Sequence, residues 1–280
     1  MKKYLAVFDG YKFSKSTLNY AIQLTQLTDA HLVGVFLDEF IYHTYNVSMI
    51  YKTYENPEEK IKALDIKDKE KREQAIILFQ KACARAKINY SVHSDKSIAI
   101  QELKHESMFA DLIVINEHEN FTRFKEKIPT RFIKDLLADV QCPVLLVPNA
   151  FKPIDKIVLL YDGRPSSMVA SKMFSYLFDV LKELPIEIFT VNDYFPADLR
   201  VPDNKLMREF SKRHFPKARF TVVKGGAEEQ IIGHLRNHKE NELVVLGAYR
   251  RSELSRFFKM SMADILMKEL DTPLFIAHSK

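Results

Sequence analysis

Short apolar runs that end in a charge or a glycine alternate along this chain with longer stretches in which apolar residues recur every three or four positions. The first pattern predicts a strand buried on both faces, the second an amphipathic helix. Lys3 to Phe8 is such a run, ending in Asp9-Gly10. The helix after it starts near Ser14, a good N-cap, and carries Leu18, Ala21, Ile22 and Thr25 at helical spacing. Strand His31 to Leu37 follows, then a long charged segment, Asn56 to Lys87, amphipathic through Ala75, Phe79, Ala82 and Ala86. The half closes with strand Asn89 to His93, helix Ile98 to Ser107, strand Asp111 to Ile115, helix Pro129 to Val140 and strand Cys142 to Pro148.

The same plan is then written a second time. Ile157 to Tyr161 ends in Asp162-Gly163, and a helix from about Ser166 carries Ala170, Met173, Phe174, Leu177 and Leu181. Strand Ile186 to Val191, a short helical piece around Leu206 to His214 and strand Arg219 to Val223 come next. Helix Ala227 to His238, strand Glu242 to Leu246, a turn at Gly247, a basic loop, helix Leu254 to Leu270 and strand Thr272 to Ala277 complete the half. Strands alternating with helices of this length predict right-handed βαβ units around a parallel sheet. The expected organisation is two α/β domains, 1–149 and 150–280, divided near Asn149 to Lys156, where Pro148 and Pro153 frame a short link.

Composition narrows the functional classes. A hydrophobic fraction of 46% with 28% charged residues is enough for packed cores, and 42 basic against 37 acidic residues leave a net charge of +5, too mild to argue for nucleic acid. Cys83 and Cys142 stand far apart with no metal spacing, which fits a reducing compartment. Met1 to Asp9 reads as a strand rather than a signal peptide, and no stretch approaches the roughly 18 apolar residues of a membrane helix, so a cytoplasmic protein without membrane contact is expected. Seven glycines in 280 residues, with only Gly225-Gly226 adjacent, exclude both a P-loop and a Rossmann fingerprint.

The order strand-Asp-Gly, helix, strand, helix, strand-Gly-Gly-Ala-Glu-Glu, helix, Leu-Val-Val-Leu-Gly, basic loop, helix, Thr-Pro-Leu-Phe-Ile resembles the universal stress protein family. The residues that carry it are Asp162-Gly163, Gly225 to Glu229, Leu243 to Gly247, and the strand starts at Pro143 and Pro273. It is the order, repeated twice over essentially the whole chain, that makes the match. The resemblance implies two tandem doubly wound parallel sheets of five strands each, in the order 3-2-1-4-5, of the adenine nucleotide alpha hydrolase-like (HUP) type. It also implies that strands 142–148 and 272–277 pair, giving an internal pseudo-dimer and leaving a further homodimer open. An unpaired edge of Val144, Leu145, Leu146 and Val147 would otherwise be sticky.

Nucleotide-binding members of that family carry Gly-x2-Gly-x9-Gly-Ser/Thr after the fourth strand. There the first glycine turns the chain, and the later ones let backbone N–H groups approach phosphate at a helix N-terminus. In the second half only Gly247 and Ser261 match. Arg250 and Met260 replace the other glycines, while Arg250, Arg251 and Arg256 offer side-chain charge instead. The first half has Asn116, Glu119 and Pro129 at the glycine positions, with Thr130 beside the last, and Glu117 and Glu119 would repel phosphate.

Asp9 and Asp162 stand where the family's aspartate lies near adenine and ribose, against the plainer reading that Asp-Gly makes a turn. Asp9, Asp38, His93, Asp95, Glu117 and His118 all follow strand ends in the first half, a set that is either a metal site or simply solvated. His234 and His238 have zinc-pair spacing without the glutamate of His-Glu-x-x-His, and a wet helix face is the expectation. No catalytic set appears: Ile232-Gly233-His234 lacks the leading histidine of His-x-Gly-His, and neither first strand leads into Ser-Gly-Gly-x-Asp-Ser.

The favoured reading is a non-enzymatic stress-response protein acting through protein contacts. The alternative is a sensor of ATP or another adenine nucleotide that uses the second half only, through Asp162, Gly163, Val191, Gly225, Gly247, Arg250 and Ser261.

Overall fold

The computed structural model describes residues 1–39, 44–94, 96–122, 124–192, 199–237, 241–248 and 261–278, the side chains at 38, 39, 96 and 97 excepted. The chain divides into two compact units, Met1–Asp139 and Val140–Lys280.

The first unit contains β1 (Lys3–Asp9), α1 (Lys15–Thr28), β2 (His31–Glu39), α2 (Val47–Thr53), α3 (Pro57–Ala86), β3 (Asn89–His93), β4 (Lys96–Ser97), α4 (Ala99–Ser107), β5 (Leu112–Asn116) and α5 (Arg131–Asp139). Its sheet runs β3-β2-β1-β5, every pair parallel, with the short β4 alongside β2. Ser14 caps α1 as its position predicts, its Oγ accepting the Thr17 N–H at 3.1 Å. The helix stops at Asp29, which adopts the left-handed conformation. α2 and β4 were not expected, being too short for a periodic pattern to register.

α3 is the longest element, and it turns Asp68, Ala75, Phe79 and Cys83 inward. Phe79 lies over β2, where a Cβ on Gly34 would approach its ring carbons to 2.7 Å, so the glycine makes room for the ring. Phe8, Phe36 and Tyr90 surround Phe79 with ring centroids 5.7 to 5.9 Å away. Asp68 is buried on this otherwise charged helix because Thr44 serves both carboxylate oxygens, through its N–H at 3.1 Å and its hydroxyl at 2.6 Å. Desolvation lifts the Cys83 thiol to about 12, which makes it an inert core side chain.

The second unit opens with the closing strand of the first repeat, β6 (Val144–Val147). There follow β7 (Lys156–Leu160), α6 (Pro165–Leu177), a 3-10 turn at Val180–Glu183, β8 (Ile186–Asn192), α7 (Asn204–His214), β9 (Arg219–Lys224), α8 (Ala227–Arg236), β10 (Glu242–Gly247), α9 (Met262–Glu269) and β11 (Leu274–Ala277). The strands β9-β8-β7-β10-β11 are parallel and reproduce the order 3-2-1-4-5 of the repeat. β6 pairs antiparallel with β11, placing Leu274 opposite Leu146 and Ile276 opposite Val144. All four residues of each strand are buried, so this pairing satisfies backbone groups that water cannot reach.

Where the strands of the second unit begin, one face of the sheet carries charge. Lys156 on β7 reaches Glu187 Oε2 at 2.7 Å and Glu242 Oε1 at 3.0 Å, and Thr221 on β9 donates to Glu187 Oε1 at 2.5 Å. From α8, His234 stacks on Phe189 with centroids 4.0 Å apart and brings Nε2 within 3.1 Å of Glu187 Oε2. The expected wet helix face is therefore wrong for His234, which packs onto β8 through its ring. Burial alone would push the Glu187 carboxyl up, but hydrogen bonds from Lys156, Thr221 and His234 outweigh it and hold the group at about 2.

Because the folded value lies below the ordinary glutamate value of about 4.3, Glu187 contributes stability above that pH and loses it as pH falls towards 2. Glu187→Gln should flatten the acid limb of a stability-against-pH curve measured by urea denaturation. Lys156→Met strands two buried carboxylates and is expected to cost about 3–5 kcal/mol at neutral pH.

Candidate functional site

The carboxyl ends of β7, β8, β9 and β10 define the edge where ligands bind in open α/β sheets. Asp162 lies just beyond β7 and is exposed. Its Oδ1 accepts the Arg164 N–H at 3.0 Å and the Ser167 hydroxyl at 2.6 Å, while Oδ2 lies 3.7 Å from the Arg164 guanidinium. The carboxylate thus organises the entry to α6, which begins at Pro165, one residue before the expected start at Ser166. Gly163 between them has φ +78°, and a Cβ there would meet Pro202 at 2.5 Å, so turn and packing both demand glycine.

Across the edge, Gly225 adopts φ +130° and Gly226 is the N-cap of α8. A Cβ on Gly226 would meet nothing within 4 Å, so the backbone there is open. The first turn of α8 nevertheless carries Glu228 and Glu229, which already complement the helix dipole and oppose an incoming anion. Val191, on β8 in register with Val223, is half-buried. Its neighbour Asn192 donates to the Arg200 carbonyl at 3.2 Å.

Gly247 and Ser261, the two residues that match the family's loop, both have internal duties. A Cβ on Gly247 would lie 2.3 Å from the Ser166 carbonyl carbon and 2.6 Å from the Ser167 nitrogen. The bare backbone of β10 is therefore the seat of the first turn of α6. Ser261 caps α9, its Oγ accepting the Asp264 N–H at 3.1 Å while Asp264 Oδ2 accepts the Ser261 N–H at 3.1 Å. This reciprocal capping box gives Ser261 a structural role at the start of α9. Arg250, Arg251, Arg256 and Met260 lie outside the described residues.

The corresponding edge of the first unit is filled by its own side chains. Asn116, at the position of Gly247, is buried and accepts the His118 N–H through Oδ1 at 2.9 Å. Asp9 is buried as well, its Oδ1 accepting the Tyr11 N–H at 2.8 Å, which is the turn-making role its Asp-Gly sequence predicts. Glu119, at the second glycine position, points inward: the residue is 6% exposed, and its carboxyl takes a hydrogen bond from the Asp9 backbone. Lys12 extends over the segment to Asn120 Oδ1 at 3.4 Å, to the Thr122 carbonyl and to within 3.9 Å of Asp9 Oδ2. Thr130 donates to the Glu119 carbonyl at 2.5 Å and accepts the Ile133 N–H at the start of α5.

The histidines and carboxylates gathered by strand ends do not form one group. His93 Nδ1 lies 2.9 Å from Glu106 Oε2 of α4, whereas His118 faces Glu117 at 3.8 Å and Asp9 belongs to the Lys12 cluster. Among the described residues no three such side chains are grouped to hold a metal ion. Asp95, His238 and the side chain of Asp38 lie outside them. His234 Nε2 lies 3.1 Å from Glu187 Oε2.

Three residues at these edges escaped the sequence reading. Asp264 was legible, since it stands three places after Ser261 in capping-box spacing. Ser167 and Lys12 were not, because their partners lie across turns that no local pattern specifies.

No family model matches the chain, and no curated protein does. Solved structures do. A universal stress protein from Archaeoglobus fulgidus aligns with 99% of this chain and 98% of its own length, at 15% identity and a TM-score of 0.70. A universal stress protein described as putative, from Pseudomonas aeruginosa, aligns with 99% of this chain and 93% of its own at 15% identity and a TM-score of 0.61. A functionally unknown protein from another strain of Pseudomonas aeruginosa matches equally well, at 15% identity and 0.61 over 99% of this chain. The chain therefore has the tandem universal stress protein fold along its whole length.

Gly247→Ala should destabilise the second unit by about 1–3 kcal/mol or more with no ligand present, since the groups it would strike are backbone and cannot swing away. Ser261→Ala should cost about 1 kcal/mol through the lost cap. Urea denaturation followed by circular dichroism checks both. A Gly247→Ala protein as stable as the parent would mean that α6 does not rest on this glycine.

Proposed function

We propose that this chain is a tandem universal stress protein, with repeats 1–149 and 150–280, that works as a non-enzymatic regulatory protein through contacts with other proteins. One observation carries the reading. The residues of the loop pattern that this chain keeps have duties within the chain itself: Gly247 lies under α6 and Ser261 caps α9, and in the first repeat a buried Glu119 stands where the pattern has glycine. A cytoplasmic setting accompanies it, because Cys83 and Cys142 are both buried and are not joined in a disulfide. No helix among the described residues is long and apolar enough to cross a membrane.

A second reading, ATP or another adenine nucleotide bound in the second repeat, is favoured by two features of that edge. Asp162 is exposed, and Gly226 leaves open backbone beside the left-handed Gly225. The residues this reading uses are Asp162, Gly163, Val191, Gly225, Gly247, Arg250 and Ser261, and it leaves the first repeat without a ligand.

Native mass spectrometry of freshly purified protein separates the two. The first reading expects the mass of the polypeptide alone, and a melting temperature unchanged by millimolar ATP in both the parent and Asp162→Ala. One nucleotide retained per chain, and lost in Asp162→Ala, would establish the second reading in its place.

A further inference from the structure

We propose that residues 117–122 form a proton-dependent latch over the carboxyl edge of the first unit, shut while the Glu119 carboxyl is neutral and released when it ionises. This goes beyond the function proposed above and does not depend on it. The latch is a built contact. Lys12 reaches from the turn after β1 to Asn120 and to the Thr122 carbonyl, and Thr130 holds the Glu119 carbonyl from the start of α5. Phe121 is 3% exposed, adopts φ +48°, and sets its ring 4.4 Å from that of Phe132. A non-glycine residue keeps that backbone conformation only where its surroundings hold it.

At the centre of these contacts two carboxyl groups are buried together. Asp9 is 1% exposed and Glu119 6%. The charged groups that act on Glu119 are Asp9, from the end of β1, and Lys12, after it. Glu117 and His118 precede it on the same segment, 3.8 Å apart. Arg131 of α5 is directed to Asp135, and Arg72 of α3 lies over the Tyr11 ring beside the Asp9 turn. Lys12 is the cation that acts on Glu119 among the described residues, and like charges in a water-poor site cannot both ionise cheaply. Burial first, and then the Asp9 charge, raise the Glu119 carboxyl well above the ordinary range, against the smaller opposing effects of Lys12 and the Asp9 backbone.

The sign follows from linkage. A carboxyl whose value in the closed state exceeds its open-state value of about 4.3 favours closure most at low pH. Closure then weakens as pH rises, by up to tenfold per pH unit for one proton, until the closed-state value is passed. Glu119→Gln keeps shape and hydrogen bonding without a charge to release. Asp9→Asn removes the repulsion that resists ionisation.

Amide hydrogen exchange of the full chain between pH 5 and 8, corrected for intrinsic rates, reads the latch directly. Protection of 117–122 is expected to fall with pH in the parent by up to tenfold per unit, to stay level in Glu119→Gln, and in Asp9→Asn to fall at the same slope but level off at a lower pH than in the parent. Protection that is flat with pH in the parent would overturn the proposal. So would a Glu119→Gln protein that falls as the parent does. If Glu119→Gln does not fold, the parent alone still decides, through whether its protection of 117–122 falls with pH.

Discussion

The second unit depends on one close approach. β10 ends at Gly247, and the first turn of α6 lies so near that a single added carbon would fall 2.3 Å from the Ser166 carbonyl carbon. Asp162 gathers the same turn from the other side, through the Arg164 N–H and the Ser167 hydroxyl. Between them these contacts set where α6 begins, and α6 in turn packs Phe174 against Phe275 of β11. The glycine that looks like the opening of a ligand loop is thus first a packing requirement. Its presence in the sequence is no sign of a ligand by itself.

The first unit solves the same geometric problem differently. Asn116 replaces the glycine, tying its side chain into the turn that follows, and Glu119 fills the space beyond. Burying a carboxyl is costly unless it stays neutral or finds partners. Burial raises the Glu119 carboxyl well above its ordinary range, and Lys12 and the Asp9 backbone offset part of that cost. Two copies of one plan therefore carry different edges: in one the chain supplies its own occupant, while in the other an exposed aspartate and open glycine backbone remain.

Much of the fold was legible along the chain. The strands expected at 111–115 and 242–246 are found at Leu112–Asn116 and Glu242–Gly247, because buried parallel strands are short apolar runs with sharp polar limits. The 30-residue α3 spans the charged segment almost to the residue, since Ala75, Phe79 and Ala82 keep helical period through it. The candidate site was less legible. Ser261 and Gly247 stand out in the sequence, but a motif records which residue type is needed and not what needs it. Lys12 gave no signal at all: a lysine in a polar turn looks solvated until the fold lays Asn120, Thr122 and Asp9 around its ammonium group.

The sequence by itself determined the repeated strand-helix order, the parallel sheets that follow from it, and the departure of both halves from the family's glycine pattern. These are local or periodic properties, carried by hydrophobic spacing and by residue type. Only the tertiary structure decided what each special residue touches. It seated α6 on Gly247, turned His234 from a presumed wet surface onto Phe189 and Glu187, and buried Glu119 beside Asp9, 110 positions earlier in the chain. Such contacts join residues far apart in sequence, and no local pattern specifies which distant group will arrive. The physical reason is that packing chooses partners by shape and by the cost of buried charge, and both exist only once the sheet has formed.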